Sequence, residues 1–86
     1  MPRFRWNDWN IEHIGRHGVK QSEAERVVKT GERRRVGEGK YKVIGRGIGD
    51  RWMQVIYIFD PPGVTYVIHA RPLNDAEKRR VRKREP

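Results

Sequence analysis

Hydrophobic residues near the N-terminus recur at helical spacing. Asn7 or Asp8 provides the cap of a helix that the pattern predicts from Trp6 to Arg16. Within this helix, Ile11 and Ile14 lie three positions apart, so both side chains are expected to face the core.

A second helix is marked by an apolar stripe between a start signal and a stop signal. Residues Ser22–Glu25 have the spacing of a capping box, and Ala24, Val27 and Val28 form one apolar stripe. Gly31 provides the C-terminal stop. The pattern therefore predicts a short amphipathic helix that ends at this glycine.

The middle of the chain changes from helical spacing to strands separated by turns. Apolar patterns predict a meander of three strands, Lys40–Arg46, Arg51–Phe59 and Val64–Arg71. The glycine-rich residues 45–50 form the first turn, and the prolines and glycine of residues 60–63 form the second. Residues 32–39 are expected to be either a polar loop or a short, irregular fourth strand.

Strict alternation in the third meander strand assigns one face to four side chains, Thr65, Val67, His69 and Arg71. Pro72 ends the strand, and Asn74 caps a last helix with Glu77 at its third position. Residues 1–86 are thus predicted to be a single α+β domain. It would have two N-terminal helices, an antiparallel sheet of three to four strands and a basic C-terminal helix.

Charge is the strongest signal of the whole sequence. The 86 residues include 20 Lys or Arg against 11 Asp or Glu, a formal net charge of +9. A small protein this basic usually binds polyanions or an acidic partner chain, because neutralising phosphates releases counterions. The absence of cysteine excludes disulfides and thiolate metal sites. With no bilayer-length apolar run and no signal-peptide core, a cytoplasmic protein without membrane contact is expected.

His69 and Arg71 lie two positions apart on one predicted strand, so they are expected to leave the same face. RNA cleavage without a metal needs a base, an acid and cations for the phosphate charge. His69 suits either proton-transfer role, and Arg71 matches phosphate with a fork of donors. Arg46 and Lys42 share a face of the first meander strand and complete this hypothesis. Spacing alone favours a structural alternative, in which His69 is half-buried and Arg71 pairs with Glu77.

His13 and His17 lie four positions apart, a spacing that zinc sites use. No base or cysteine accompanies them, and Arg16 would repel a cation, so we predict neither a metal nor an organic cofactor. His17 is expected at the helix exit, bonded to backbone.

Further candidates for RNA contact are the cations Lys40, Lys42, Arg79, Arg80 and Lys83, together with Tyr57. Contacts of the basic C-terminal run with phosphates would carry no sequence specificity. Trp6, Trp9 and Trp52 could stack on bases, although at least two of them are expected to be structural.

Four short motifs occur in a fixed order: Arg16-His17-Gly18-Val19, Glu23-Ala24-Glu25 with Val27-Val28, Ile44-Gly45-Arg46, and Val67-Ile68-His69-Ala70-Arg71-Pro72. Glu77 follows Ala70 by seven residues. In order and spacing, this set resembles the BrnT-type toxins of bacterial toxin–antitoxin pairs, which share the RelE-like ribonuclease fold. The resemblance extends from about Trp6 to Lys83.

The resemblance implies a bacterial ribonuclease toxin that stalls translation and is neutralised by a co-encoded, acidic, DNA-binding antitoxin. Its chemistry would be metal-independent, with a 2′-oxygen attacking the adjacent phosphate. Carried over by position, Arg46 and Arg71 match the family's basic strand residues, and His17 matches its histidine before glycine.

Two other functions stay open on the sequence. One is a non-catalytic module that grips nucleic-acid phosphates, and the other is an interaction partner whose basic surface docks an acidic chain. An edge strand is available for a homodimer or a toxin–antitoxin hetero-oligomer, but no pattern demands either.

Overall fold

The computed structural model describes residues 3–84. Its elements, in chain order, are β1 (Arg3–Phe4), α1 (Asp8–Gly15), α2 (Gln21–Thr30), β2 (Glu32–Gly37), β3 (Lys40–Arg46), β4 (Trp52–Phe59), β5 (Val64–Pro72) and α3 (Asp75–Arg84). A single 3₁₀ turn, Ile48–Asp50, connects β3 to β4. No helix within the described range is long and apolar enough to cross a bilayer.

The described strands form one mixed sheet in the order β1-β5-β4-β3-β2. β1 pairs in parallel with β5, and the other neighbouring pairs are antiparallel. The α+β class and the order of the elements are confirmed. The sheet is larger than the antiparallel one predicted, because residues 32–37 form a strand and Arg3–Phe4 adds another. A strand of two residues is too short to be recognised from the periodicity of the sequence.

The core lies where α1 and α2 pack on the sheet, with α1 against β5 and α2 against β3 and β4. Val27, Val43 and Val55 are fully buried there. Close approach of α2 to β3 requires glycine: a Cβ at Gly45 would lie 2.8 Å from the Cα of Gly31. This contact fixes the end of α2 beside β3, where a groove described below begins.

Only a narrow stripe of α1 is buried, and it differs from the predicted one. Ile14 lies in the core, but Ile11 is 39% exposed. The second buried residue is Asn10, four positions before Ile14, which the helical period places on the same side. Its side chain is satisfied by Asn7, with which it forms a capping box, and by the Arg5 carbonyl at 3.1 Å.

The capping box predicted for α2 is wrong. α2 begins at Gln21 after Lys20, which makes no side-chain capping bond. The glutamate of that predicted box, Glu25, instead accepts a hydrogen bond from the Trp6 indole N–H at 2.8 Å. Glu23, two positions earlier, points inward, with 1% of its surface exposed. Its carboxylate is therefore available to tertiary partners and not to the helix terminus.

Glu23 and Arg51 join α2 to the turn between β3 and β4. Arg51 donates from Nε and Nη2 to the two carboxylate oxygens at 2.9 and 2.6 Å, and the Ile48 N–H donates at 2.8 Å. Arg51 also donates to the Gly18 carbonyl at 3.1 Å. The Arg51 hydrogen bond holds the pKa of Glu23 below its usual value, against the opposing effect of burial.

A bulge in β5 overturns the strict alternation predicted for this strand. Between Val67 and Ala70, both fully buried, β5 has two residues where β4 has one, Ile56. His69 therefore does not share the core-facing side of Val67. His69 and Arg71 lie beyond this irregularity and stay two apart on regular strand, so their common face follows as predicted.

Candidate nucleic-acid interface

A groove of about 610 Å³ is lined by residues of α2, β2, β3, β4 and α3. Its volume is in the range of small-ligand sites. The apolar part of its surface comes from Ile44, Trp52, Leu73 and Val81. Five cations also line it: Arg26, Arg34, Lys42, Arg46 and Arg80.

Each acid that lines the groove is bonded to an arginine. The three pairs are Glu32 with Arg34 at 3.4 Å, Asp50 with Arg46 at 3.6 Å, and Glu77 with Arg71 at 2.8 Å. Within the described chain, Arg26, Lys42 and Arg80 have no acid within salt-bridge distance. The groove therefore keeps positive charge that its own acids do not offset.

Arg34 and Lys42 are direct cross-strand partners on β2 and β3. Like charges opposite one another on a sheet are unfavourable, and the weak contact of Arg34 with Glu32 leaves Lys42 uncompensated. An anion between the two cations would remove this repulsion. This end of the groove is therefore suited to bind an anion.

Arg46 and Trp52 are cross-strand partners at the other end of the groove. The Arg46 guanidinium lies 4.0 Å from the centre of the indole ring and donates to the Asp50 carbonyl at 3.0 Å. A cation over an indole face is held by attraction to the ring. Arg46 is thus fixed in place, with other donors left for a ligand.

Arg71 lies beside the groove and is occupied by Glu77. Nη1 and Nη2 each donate to one carboxylate oxygen at 2.8 Å, and Nη1 also donates to the Pro72 carbonyl. Glu77 and Asn74 form the predicted capping box of α3. The structural alternative for Arg71 is therefore the arrangement found.

The three histidines of the chain form one cluster, His13, His17 and His69. The ring centroid of His69 lies 5.4 Å from that of His17 and 6.4 Å from that of His13. Trp9 stacks on His13 at 4.7 Å. The cluster joins β5 to the end of α1 and to the turn that follows it.

Burial lowers the pKa of His69, and the nearby charges of His17, Arg71 and His13 lower it further. A histidine with a lowered pKa is neutral over more of the range below pH 7. Neutral imidazole can accept a proton, so His69 is suited to act as a general base.

The predicted site residues fall into separate places. Arg46, Lys42 and Arg80 line the groove, and His17 joins His69 in the histidine cluster, not the backbone contact that was expected. Exposed positions outside the groove lining hold three further candidates, Lys40, Arg79 and Lys83. Tyr57 lies in the core and is 3% exposed, so it is withdrawn as an RNA contact.

Sequence reasoning missed Arg26, Arg34 and Gln54, which also line the groove. The position of Arg34 could have been inferred from the sequence. If residues 32–37 form a strand that makes a β-hairpin with β3, Arg34 lies opposite Lys42. Gln54 had none, since one amide in an otherwise apolar strand is not distinctive.

Within residues 3–84, no group of three or more His, Asp or Glu side chains is arranged to hold a metal ion. No protein-family model matches this chain, and no curated protein is significantly similar to it.

Proposed function

We propose that this protein binds RNA along its cationic groove and cleaves it without a metal ion, as a BrnT-like ribonuclease toxin. The observation that carries the proposal is the placement of His69. It lies beside His17 and in one cross-strand row with Ile56 and Lys42. Adjacent strands are roughly 4.8 Å apart, so the backbones of Lys42 and His69 are about 10 Å apart.

In the proposed reaction, neutral His69 accepts the proton of a 2′-hydroxyl as its oxygen attacks the adjacent phosphorus. The bond from phosphorus to the 5′-oxygen breaks, and an imidazolium at His17 gives that oxygen a proton. The products are a 2′,3′-cyclic phosphate and a 5′-hydroxyl. Two imidazoles in contact provide the base and the acid that this step requires.

In this proposal the phosphates are held by cations other than Arg71, the residue to which the sequence hypothesis assigned that role. Because Glu77 occupies the Arg71 fork, Arg71 supports α3 and adds positive field near His69. Lys42 and Arg34 hold the RNA backbone at one end of the groove, and Arg46 holds it at the other. Charged donors to phosphate are strong and need no sequence-specific contact.

The toxin role rests on the sequence resemblance, and it implies an acidic, DNA-binding antitoxin as partner. Expression of the chain alone should arrest bacterial growth, and His69→Gln should relieve the arrest. Growth unaffected by the parent chain, at a confirmed protein level, would contradict the toxin role.

The direct test is incubation of labelled single-stranded RNA with purified protein in excess EDTA. The parent should leave 2′,3′-cyclic phosphate ends, and His69→Gln and His17→Gln should each lose about 100-fold or more in rate. Lys20→Gln, an exposed residue outside the groove, should cleave like the parent. Full activity in His69→Gln would reject the assignment of the base.

A second candidate function is RNA binding without cleavage. It is favoured by one observation, the full engagement of Arg71 with Glu77, which removes a phosphate fork from the strand that carries His69. Salt-dependent RNA binding by a parent protein that cleaves neither free RNA nor ribosome-bound messenger RNA would establish it.

A further inference from the structure

Gln54 is a largely buried side-chain amide that has no hydrogen-bond partner among residues 3–84. It is 7% exposed and lines the groove from the central strand β4. None of the side-chain hydrogen bonds among residues 3–84 involves its amide, and no unpaired side-chain nitrogen or oxygen there is wholly shielded from solvent. The free amide atoms of Gln54 are therefore accessible from the groove.

Within the sheet, Gln54 has no neighbour to pair with: its cross-strand neighbours are Ile44, which is apolar, and Arg71, which is bonded to Glu77. Its amide is therefore satisfied only from the groove, by water or by a ligand. A ligand in the groove would supply both the donor and the acceptor that Gln54 lacks.

Gln54 also lies between the two ends of the groove. The Arg34–Lys42 pair is one row of the sheet away on one side, and the Arg46–Trp52 pair is one row away on the other. Rows on one face are separated by two residues, or roughly 6.6 Å along a strand. A nucleotide with its phosphate at the first row would place its base over Gln54.

We propose that the groove is a nucleotide subsite in which Gln54 reads the base and selects adenine. This inference rests on the proposed binding of RNA and adds the substrate preference of that site. The amide presents an acceptor and a donor side by side, which match N6 and N7 of adenine. Guanine presents two acceptors on the same edge, and arginine or lysine suits it better.

The test uses short 2′-O-methyl oligouridines with one variable position, measured by fluorescence anisotropy at low salt. The methylated sugar has no hydroxyl to attack the phosphate, so binding is measured apart from cleavage. The parent should bind the adenine-containing oligonucleotide about 5- to 100-fold more tightly than the other three.

Gln54→Met keeps the size of the side chain and removes the amide. It should bind all four oligonucleotides with affinities within about 2-fold, because phosphate contacts carry no base information. Gln21→Met removes an amide at the start of α2, outside the groove lining, and should keep the adenine preference. If Gln54→Met does not fold, Gln54→Glu tests the same point, because it loses the donor and should lose the preference.

The outcomes separate this inference from the function on which it rests. An unchanged base ranking in Gln54→Met, or a parent that binds all four bases equally, overturns the role of Gln54 while RNA binding stands. Failure of the parent to bind any oligonucleotide overturns both. Adenine preference that disappears in Gln54→Met supports the inference, whether or not the parent cleaves RNA.

Discussion

Arg71 and Glu77 form a two-point fork that connects the end of β5 to the first turn of α3. Both nitrogen–oxygen distances are 2.8 Å, and the same carboxylate accepts the Asn74 N–H at 2.9 Å. One side chain thus caps α3 and binds the strand before it. Since α3 contributes Arg80 and Val81 to the groove, this fork also positions one of its walls.

Glu77→Gln should lower the free energy of unfolding by about 1–3 kcal/mol, because it replaces a charged pair with a weaker neutral contact. Denaturant unfolding followed by circular dichroism measures the change. Asp75→Asn is the matched control: Asp75 is exposed and its contact with Lys78 is 4.0 Å long, so its effect should stay below about 0.5 kcal/mol. Equal effects of the two substitutions would show that the fork does not stabilise the fold.

Protonation of the Glu77 carboxylate should make the folded protein less stable at acidic pH. Its hydrogen bonds from Arg71 and the Asn74 backbone lower the pKa of Glu77 from 4.5 to about 2. A carboxyl whose pKa is lower in the folded state than in the unfolded state stabilises the fold at pH values above the unfolded-state pKa. Stability should therefore decrease as the pH is lowered from 4.5 to 2. Glu77→Gln should flatten this part of the pH profile, and an equally steep profile in the variant would contradict the assignment.

Gly47 is required by its neighbours and not by its backbone angles. A Cβ at this position would collide with the Glu23 carboxylate and with Met53, although the φ of −97° is open to any residue. Gly47→Ala should cost about 1–3 kcal/mol of unfolding free energy through overpacking. Gly15→Ala, at a helical position with nothing within 4 Å, should instead gain about 0.4–1 kcal/mol. A neutral Gly47→Ala would mean that the Glu23–Arg51 pair relaxes freely.

The α+β fold class and the positions of most helices and strands could be predicted from the sequence, because the sequence signals for them are local. Helix period, alternation in residues 40–46 and the prolines of residues 60–63 each act within a few residues. The cap at Asn74 with Glu77 was also readable, since the partners are three apart. Local signals failed where a distant residue competed: Glu25 fits a capping box with Ser22 in sequence, but its carboxylate accepts a hydrogen bond from the Trp6 indole instead.

The candidate site was harder to predict than the fold, since it depends on register. The bulge in β5 moves His69 off the face of Val67, and no residue type marks that position as a bulge. The contact of His17 with His69 likewise depends on how α1 lies against β5. The shared face of Lys42 and Arg46 was predictable because β3 is regular.

Lys42 should make a measurable electrostatic contribution to RNA binding. If it contacts a phosphate, Lys42→Gln should reduce the slope of log affinity against log salt by about 1 in magnitude. Lys20→Gln removes the same charge from an exposed position outside the groove and should change the slope much less. Binding titrations at several salt concentrations distinguish the two variants. Equal slopes would place the RNA elsewhere on this basic surface.

His69 should titrate below the ordinary histidine value of 6.5, and NMR of the imidazole C–H signals measures this directly. Burial is the largest cause, so His17→Gln should raise the pKa of His69 without restoring it fully. His13 has a smaller influence, and His13→Gln should raise that pKa less. Because the unfolded chain binds this proton more readily, His69 should also make stability decline as pH falls below 6.5. A pKa for His69 at or above 6.5 would contradict this prediction, and a pKa well above 7 would leave His69 mostly protonated and unsuited to act as the base at pH 7.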